Sequence, residues 1–123
     1  MGGIVPTESQ ICKAFVEWCN WNKAKVPELN MLIKIPNEGK RTKWFGKKLK
    51  DEGMRSGIPD YFLAVGTEKG QGLWLEFKSK RGKLSKNQLF WINELMVYGY
   101  DVAIPESLDQ AIKFTLTYLG KTL

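Results

Sequence analysis

The sequence predicts an α/β fold, a four-stranded mixed sheet flanked by helices, in the order helix, strand, short helix, strand, strand, helix, strand, helix. Three observations predict it. Apolar residues at helical spacing mark one segment near each end of the chain and another before the last strand, the first and the middle set preceded by a capping residue. Two runs rich in aromatic and branched residues, Asp60–Val65 and Leu73–Lys78, flank a polar turn with three glycines and read as a hairpin. A further strand, Tyr100–Ile104, then lies between two helices. The chain has 123 residues, enough for one domain over 1–123 that buries roughly two thirds of its unfolded surface.

Taken in order, Thr7-Glu-Ser-Gln10 is a helix start, with Thr7 as N-cap and Gln10 in the reciprocal position. Ile11, Phe15, Trp18 and Asn22 follow along one stripe, giving a helix over 7–23, and Pro27 closes the region. Met31–Ile35 is a short strand ended by Pro36, followed by a turn at Asn37–Lys40. Lys43–Glu52 forms a short helix stopped by Gly53. Ile58 is extended because proline follows it. After the hairpin, Ser85 caps a helix carrying Leu89, Ile92, Leu95 and Met96 on its apolar face, which stops at Gly99. Ser107–Leu119 is the last amphipathic helix.

Composition removes several chemistries. Apolar residues make up 43% and charged residues 26%, an ordinary globular balance. Histidine is absent, which excludes Ser-His-Asp triads, Cys-His nucleophiles and His-ligated zinc. Cys12 and Cys19 are two helical turns apart on one face and read as buried, reduced cysteines of a cytoplasmic protein. The longest strictly apolar run, Tyr61–Val65, is far short of a membrane span, and no secretion signal opens the chain, so no membrane partner is expected. The net charge of +6 is concentrated: residues 40–55 carry +5 and residues 78–86 another +5, leaving the rest acidic. Such a distribution suits a surface that meets a polyanion, and equally suits two solvated lysine-rich loops.

One constellation carries chemistry. Glu76 and Lys78 leave the same face of their strand while Phe77 goes to the other. Alone, the pair is also what a cross-strand charge pair looks like. Asp60, directly after Pro59 at the start of the preceding strand, is brought alongside Glu76 by the hairpin. Two neighbouring carboxylates repel unless a cation sits between them. With oxygen ligands only, that cation is a hard ion, Mg2+ or Mn2+, able to acidify a bound water and stabilise charge on a phosphate oxygen. Lys78, on the same face, can hold that water or the developing anion.

Ile58-Pro-Asp60, followed after fifteen residues by Glu76-Phe-Lys78, resembles the PD-(D/E)XK nuclease motif. The framing segments Gly53-Met-Arg-Ser-Gly-Ile-Pro-Asp60, Leu75-Glu-Phe-Lys78, Gly82-Lys-Leu-Ser-Lys-Asn-Gln88 and Leu95–Gly99, with a first helix bearing Glu8, resemble the virus-type replication-repair nuclease (VRR-NUC) domain from about residue 7 to 119. The resemblance implies a restriction-endonuclease-like core in a stand-alone phage or viral type of chain, located in the host cytoplasm. It implies that Asp60, Glu76 and the Phe77 carbonyl hold Mg2+ or Mn2+, that Glu8 binds the metal directly or through water, that Lys78 orients the attacking water, and that Gln88 faces the same site. Glu8 is also simply an acid favoured by the helix dipole, and Gln88 also completes a capping box with Ser85.

In this frame Lys80, Arg81, Lys83 and Lys86 line the approach to the metal. Lys40, Arg41 and Lys43, with Arg55 further on, grip the backbone from the other side, giving affinity without sequence readout. Trp44 and Phe45, inside the basic run, are placed to stack on an unpaired base, but the favoured expectation is that one of them packs in the core with Leu49. The implied function is a metal-dependent DNA endonuclease of DNA repair, selective for branched DNA such as four-way junctions. Because one site cuts one strand, a homodimer is expected. A non-catalytic DNA-binding module and an RNA-directed nuclease are the alternatives.

Overall fold

Capping fixes where the helices begin in the computed structural model of the chain, which describes residues 4–36 and 43–123. The Thr7 hydroxyl accepts from the Gln10 N–H at 3.1 Å and Gln10 Oε1 accepts from the Thr7 N–H at 2.9 Å, opening α1 (Glu8–Asn22). Ser85 and Gln88 repeat the arrangement ahead of α3 (Lys86–Val97), and Ser107 caps α4 (Leu108–Leu119). A good N-cap contributes about 1 kcal/mol, so these side chains set helix registers as well as stability. The short helix α2 (Lys43–Asp51) carries two i,i+4 ion pairs, Lys47–Asp51 at 3.0 Å and Lys48–Glu52 at 3.9 Å.

Among the described residues the strands β1 (Leu32–Lys34), β2 (Tyr61–Leu63), β3 (Leu73–Leu75) and β4 (Asp101–Ala103) form one sheet in the order β1-β2-β3-β4. The first two pairings are antiparallel and β3 runs parallel to β4 across the α3 crossover. Alternation sends Tyr61, Leu63, Leu73, Leu75 and Phe77 to one face, where they meet Ile11, Phe15 and Cys19 of α1 and Ala111 and Tyr118 of α4. The Phe77 ring packs 5.6 Å from both Phe15 and Tyr61, centroid to centroid. The opposite face carries Phe62 and Trp74, 4.4 Å apart, with Tyr100 edge-on to both. No helix among the described residues is long and apolar enough to cross a membrane.

The element order follows the sequence, and its details differ in five places. A 3-10 turn, Pro27–Met31, takes the residue expected to open the first strand, because Pro27 favours a helical first position. Each strand is shorter than its apolar run, since regular pairing lasts only as far as the neighbouring strand does. Of the apolar face expected on α3, Ile92 is buried and Leu95 half-buried, whereas Leu89 and Met96 are exposed. This helix packs mainly along β4, a contact too narrow to cover four positions. Neither Trp44 nor Phe45 is buried, because α2 has no broad packing partner among the described residues. Cys19 is buried as expected, but Cys12 is only half-buried; both are free thiols. The expected turn at Asn37–Lys40 lies outside the described residues.

Gly57 seats the segment leading to Asp60 against α3. Its φ of +90° lies in the left-handed region, and a Cβ there would stand 2.6 Å from the Asn87 carbonyl carbon. Gly53, also at positive φ, has open space around it. Gly57→Ala is therefore expected to cost about 3 kcal/mol, combining strain with a backbone clash, and Gly53→Ala about 1 kcal/mol from strain alone. Denaturant melts of the two variants check this, and equal losses would refute the packing of Gly57 on α3.

Candidate active site

The site forms where β2 runs out and its partner continues. Beyond the Tyr61–Leu75 pair the β2 side reaches the buried Pro59, and the ladder is taken over by a side chain: Asp60 Oδ2 accepts from the Phe77 N–H at 2.9 Å. On its other edge the segment after β3 stays bound to the end of β4 and the chain just beyond it, Glu76 N–H donating to Ala103 O at 2.9 Å and Lys78 N–H to Pro105 O at 3.1 Å. The backbone is thus kept extended through residue 78. Phe77 is fully buried in the core, Glu76 is buried on the other face, and Lys78 is half-buried.

Glu76 is 2% exposed, an unusual place for a carboxylate. Its Oε2 accepts from Gln88 Nε2 at 3.2 Å, and its Oε1 meets no donor. Burial, reinforced by the neighbouring Asp60 charge and opposed by Lys78, pushes its pKa up to about 8. Burial also raises Asp60 above the ordinary carboxylate range, against the pull of the Phe77 N–H and of the Lys34 and Lys78 ammonium groups. Gln88 serves both roles the sequence allows: Oε1 takes the Ser85 N–H at 2.8 Å and Nε2 reaches Glu76.

Glu8 opens α1 and reaches the same region. A Cβ on Gly82 would lie 3.1 Å from Glu8 Oε2 and 3.2 Å from Lys78 Cδ, so the bare backbone of Gly82 leaves room for both side chains. The structure therefore brings together Glu8, Asp60, Glu76, Lys78 and Gln88, with the Phe77 peptide between the carboxylates. It adds two residues. A cleft of about 400 Å³ beside Asp60 is lined by Glu8, Cys12, Lys13, Lys34 and Tyr61. Cys12 stands one helical turn after Glu8, a spacing visible in the sequence, whereas Lys34 arrives through the Lys34–Tyr61 register, which no local signal gives. Burial, then the Asp60 charge, pushes the Cys12 thiol up to about 11, so it is no thiolate ligand near neutrality.

What remains for a metal is oxygen. Among the described residues no three Cys, Asp or Glu side chains are gathered to hold an ion. Two carboxylates converge, and one of them presents a buried oxygen without a partner. That donor set fits a hard ion that draws its other ligands from backbone oxygen and water. Around the site Lys80, Arg81, Lys83, Lys86 and Arg55 are exposed. Lys43 begins α2 without a described side chain, and Lys40 and Arg41 lie outside the described residues.

The buried Glu76 makes stability depend on pH. Its folded pKa of about 8 exceeds the ordinary value of 4.5, so between these limits the folded chain keeps a proton that the unfolded chain loses. The contribution is complete below pH 4.5 and fades as pH rises through about 8. In EDTA, Glu76→Gln is expected to melt higher than the parent by a margin that widens from pH 5 to pH 8, a range bracketed by that shift. Thermal melts across pH check this, and a constant margin would refute it.

Comparisons with known proteins agree with this architecture. The profile of the VRR-NUC domain family matches residues 7–107, a range that includes Glu8, Asp60, Glu76, Lys78 and Gln88. A solved structure described as a VRR_NUC domain protein superposes with a TM-score of 0.81 at 21% identity, covering 95% of this chain and 91% of that one. At that identity the likeness establishes the fold, which is restriction-endonuclease-like α/β. No curated protein matches the sequence. The profile runs from the Thr7 cap of the first helix to the Ser107 cap of the last, and the chain belongs to the VRR-NUC family of nuclease domains.

Proposed function

We propose that the chain is a Mg2+- or Mn2+-dependent DNA endonuclease that hydrolyses phosphodiester bonds at Asp60 and Glu76. The observation that carries this reading is the buried Glu76, whose Oε1 has no hydrogen-bond donor although it lies beside a second carboxylate. A carboxylate so placed is costly unless a cation joins it, and a fold kept only for binding DNA gains nothing from two acids facing phosphate. Asp60 and Glu76 would hold the ion, with the Phe77 carbonyl beside them and Glu8 acting through water. When bound, the ion supplies an acidified water and positive charge at the phosphate.

The protein's own groups do the rest. Gln88 holds Glu76 Oε2 and so fixes the carboxylate, leaving the buried Oε1 free of hydrogen-bond donors. The Phe77 N–H holds Asp60 in the same way. Lys78, on the Glu76 face, orients the attacking water and meets the charge that grows on the phosphate. Lys80, Arg81, Lys83 and Lys86 bind flanking phosphates without reading bases, as do Arg55, Lys40, Arg41 and Lys43 from the other side. Selectivity for branched DNA, four-way junctions included, follows if two copies pair. The exposed Leu89, Phe90, Met96 and Val97 on α3 supply an apolar face for a homodimer.

Purified protein incubated with labelled duplex and branched DNA is expected to cut in Mg2+ or Mn2+ and to stop in EDTA; undiminished cutting in EDTA would overturn the metal assignment. Asp60→Asn and Glu76→Gln are expected to abolish cutting while keeping or improving DNA binding, because a negative charge facing phosphate is removed. Lys78→Ala is expected to lose at least about a hundredfold in rate, the scale of removing one preorganised charge. Near-normal rates for Lys78→Ala would refute its role at the phosphate.

A further inference from the structure

We propose that Trp44 of α2 stacks on the base pair that a branch point leaves uncovered, which makes it the residue that selects branched DNA over continuous duplex. This rests on the nuclease reading of Asp60 and Glu76. The indole is 73% exposed and, among the described residues, has no ring or cation against it. Gly46 and Leu49 are half-buried and mark the inner side of α2, whereas Trp44, Lys47, Lys48 and Asp51 are exposed along one outer stripe. Lys47 and Lys48 are drawn one turn further along the helix, to Asp51 at 3.0 Å and Glu52 at 3.9 Å, so neither ammonium covers the ring.

The surroundings of the ring choose its partner. A protein partner covers a broad apolar face, such as the one α3 offers with Leu89, Phe90, Met96 and Val97. Trp44 instead shares its stripe with two lysines and an aspartate, in a segment, residues 40–55, that carries +5. An aromatic ring among cations is what a nucleic acid covers, the cations meeting phosphate and the ring meeting a base. Exposed ion pairs contribute little, so Lys47 and Lys48 readily exchange Asp51 and Glu52 for phosphate. The ring needs a free base face. A continuous duplex has none, because each base pair is covered by the next, whereas a branch point interrupts the stack. Stacking does not depend on which base is present, so the selection is by structure and not by sequence. The position of α2 allows this. The helix ends at Asp51, nine residues before Asp60, and an extended chain of that length spans at most about 32 Å. One turn of duplex is about 34 Å, so a single DNA molecule reaches both α2 and the carboxylates. The connection is anchored: Gly57 lies against the Asn87 backbone, and Asn87 Nδ2 donates to Ser56 Oγ at 3.4 Å.

The test is binding of the full chain in EDTA, by fluorescence anisotropy, to a four-way junction and to a continuous duplex. The arms of both are closed by thymine loops, so that the branch holds the only free base faces, and the junction carries 2-aminopurine there. Trp44→Leu, which keeps an apolar side chain and removes the ring, is expected to weaken junction binding about tenfold, with less than about a twofold change for the duplex. Trp44→Phe, which keeps a ring, is expected to stay within about threefold of the parent on the junction. The parent and Trp44→Phe are expected to change the 2-aminopurine emission on binding, and Trp44→Leu to lose that change. Equal losses on both DNAs, no loss on either, or a Trp44→Phe variant as weak as Trp44→Leu would overturn the proposal. So would a smaller species for Trp44→Leu in light scattering, which would make this face a contact between copies of the chain. A parent protein that shows the expected binding pattern yet cuts nothing in Mg2+ would refute the nuclease reading and leave the role of Trp44 standing.

Discussion

A single hydrogen bond, from the Phe77 N–H to Asp60 Oδ2, organises the site. A sheet whose second strand stops at a proline must satisfy the backbone of the third in some other way, or leave a buried donor unpaired at a cost of about 1–3 kcal/mol. Here the side chain of the next residue takes the place of the missing strand. The same bond keeps the segment beyond β3 extended, so Phe77 stays in the core and Glu76 and Lys78 share the other face. Structure and chemistry meet at that one N–H: remove the carboxylate and the extension loses its edge, move the extension and the second carboxylate leaves the first.

The energetics of the two faces are opposed. On the α1 and α4 side, aromatic rings and branched residues close over the sheet, and burial there supplies the stability of the fold. On the Glu76 side, a buried carboxylate is held by one amide and left with an oxygen unmatched. The second face is affordable because the first is so well filled. Functional sites commonly hold such locally unfavourable groups, their cost met by the surrounding structure.

How much of this the sequence disclosed depends on the range of the physics involved. The caps at Thr7 and Ser85 are local, and the structure has both. The meeting of Asp60, Glu76 and Lys78 needs only strand alternation and one hairpin, so it too was legible. Lys34 was not, because its approach to Asp60 depends on the pairing of β1 with β2 across a long intervening segment. Cys12 was legible as a neighbour of Glu8 on the helix but was assigned wholly to the core, since an apolar residue on a half-buried helix gives no sign of which edge it occupies. The α3 face was misjudged for a related reason: a helix apolar nearly all round, with Phe90, Trp91 and Val97 beside the expected positions, has no stripe from which to choose a buried side.

Gln88 shows why an amide stands at a position where helix capping alone accepts glutamate equally well. Its oxygen is committed to the Ser85 N–H and its nitrogen to the Glu76 carboxylate. A glutamate there would cap the helix just as well while setting a third negative charge against a group already deprived of water. The two ends of one planar amide are therefore not interchangeable: their polarity joins the start of a helix to the end of a strand, and the orientation of the carboxylate is inherited from the geometry of a helix terminus.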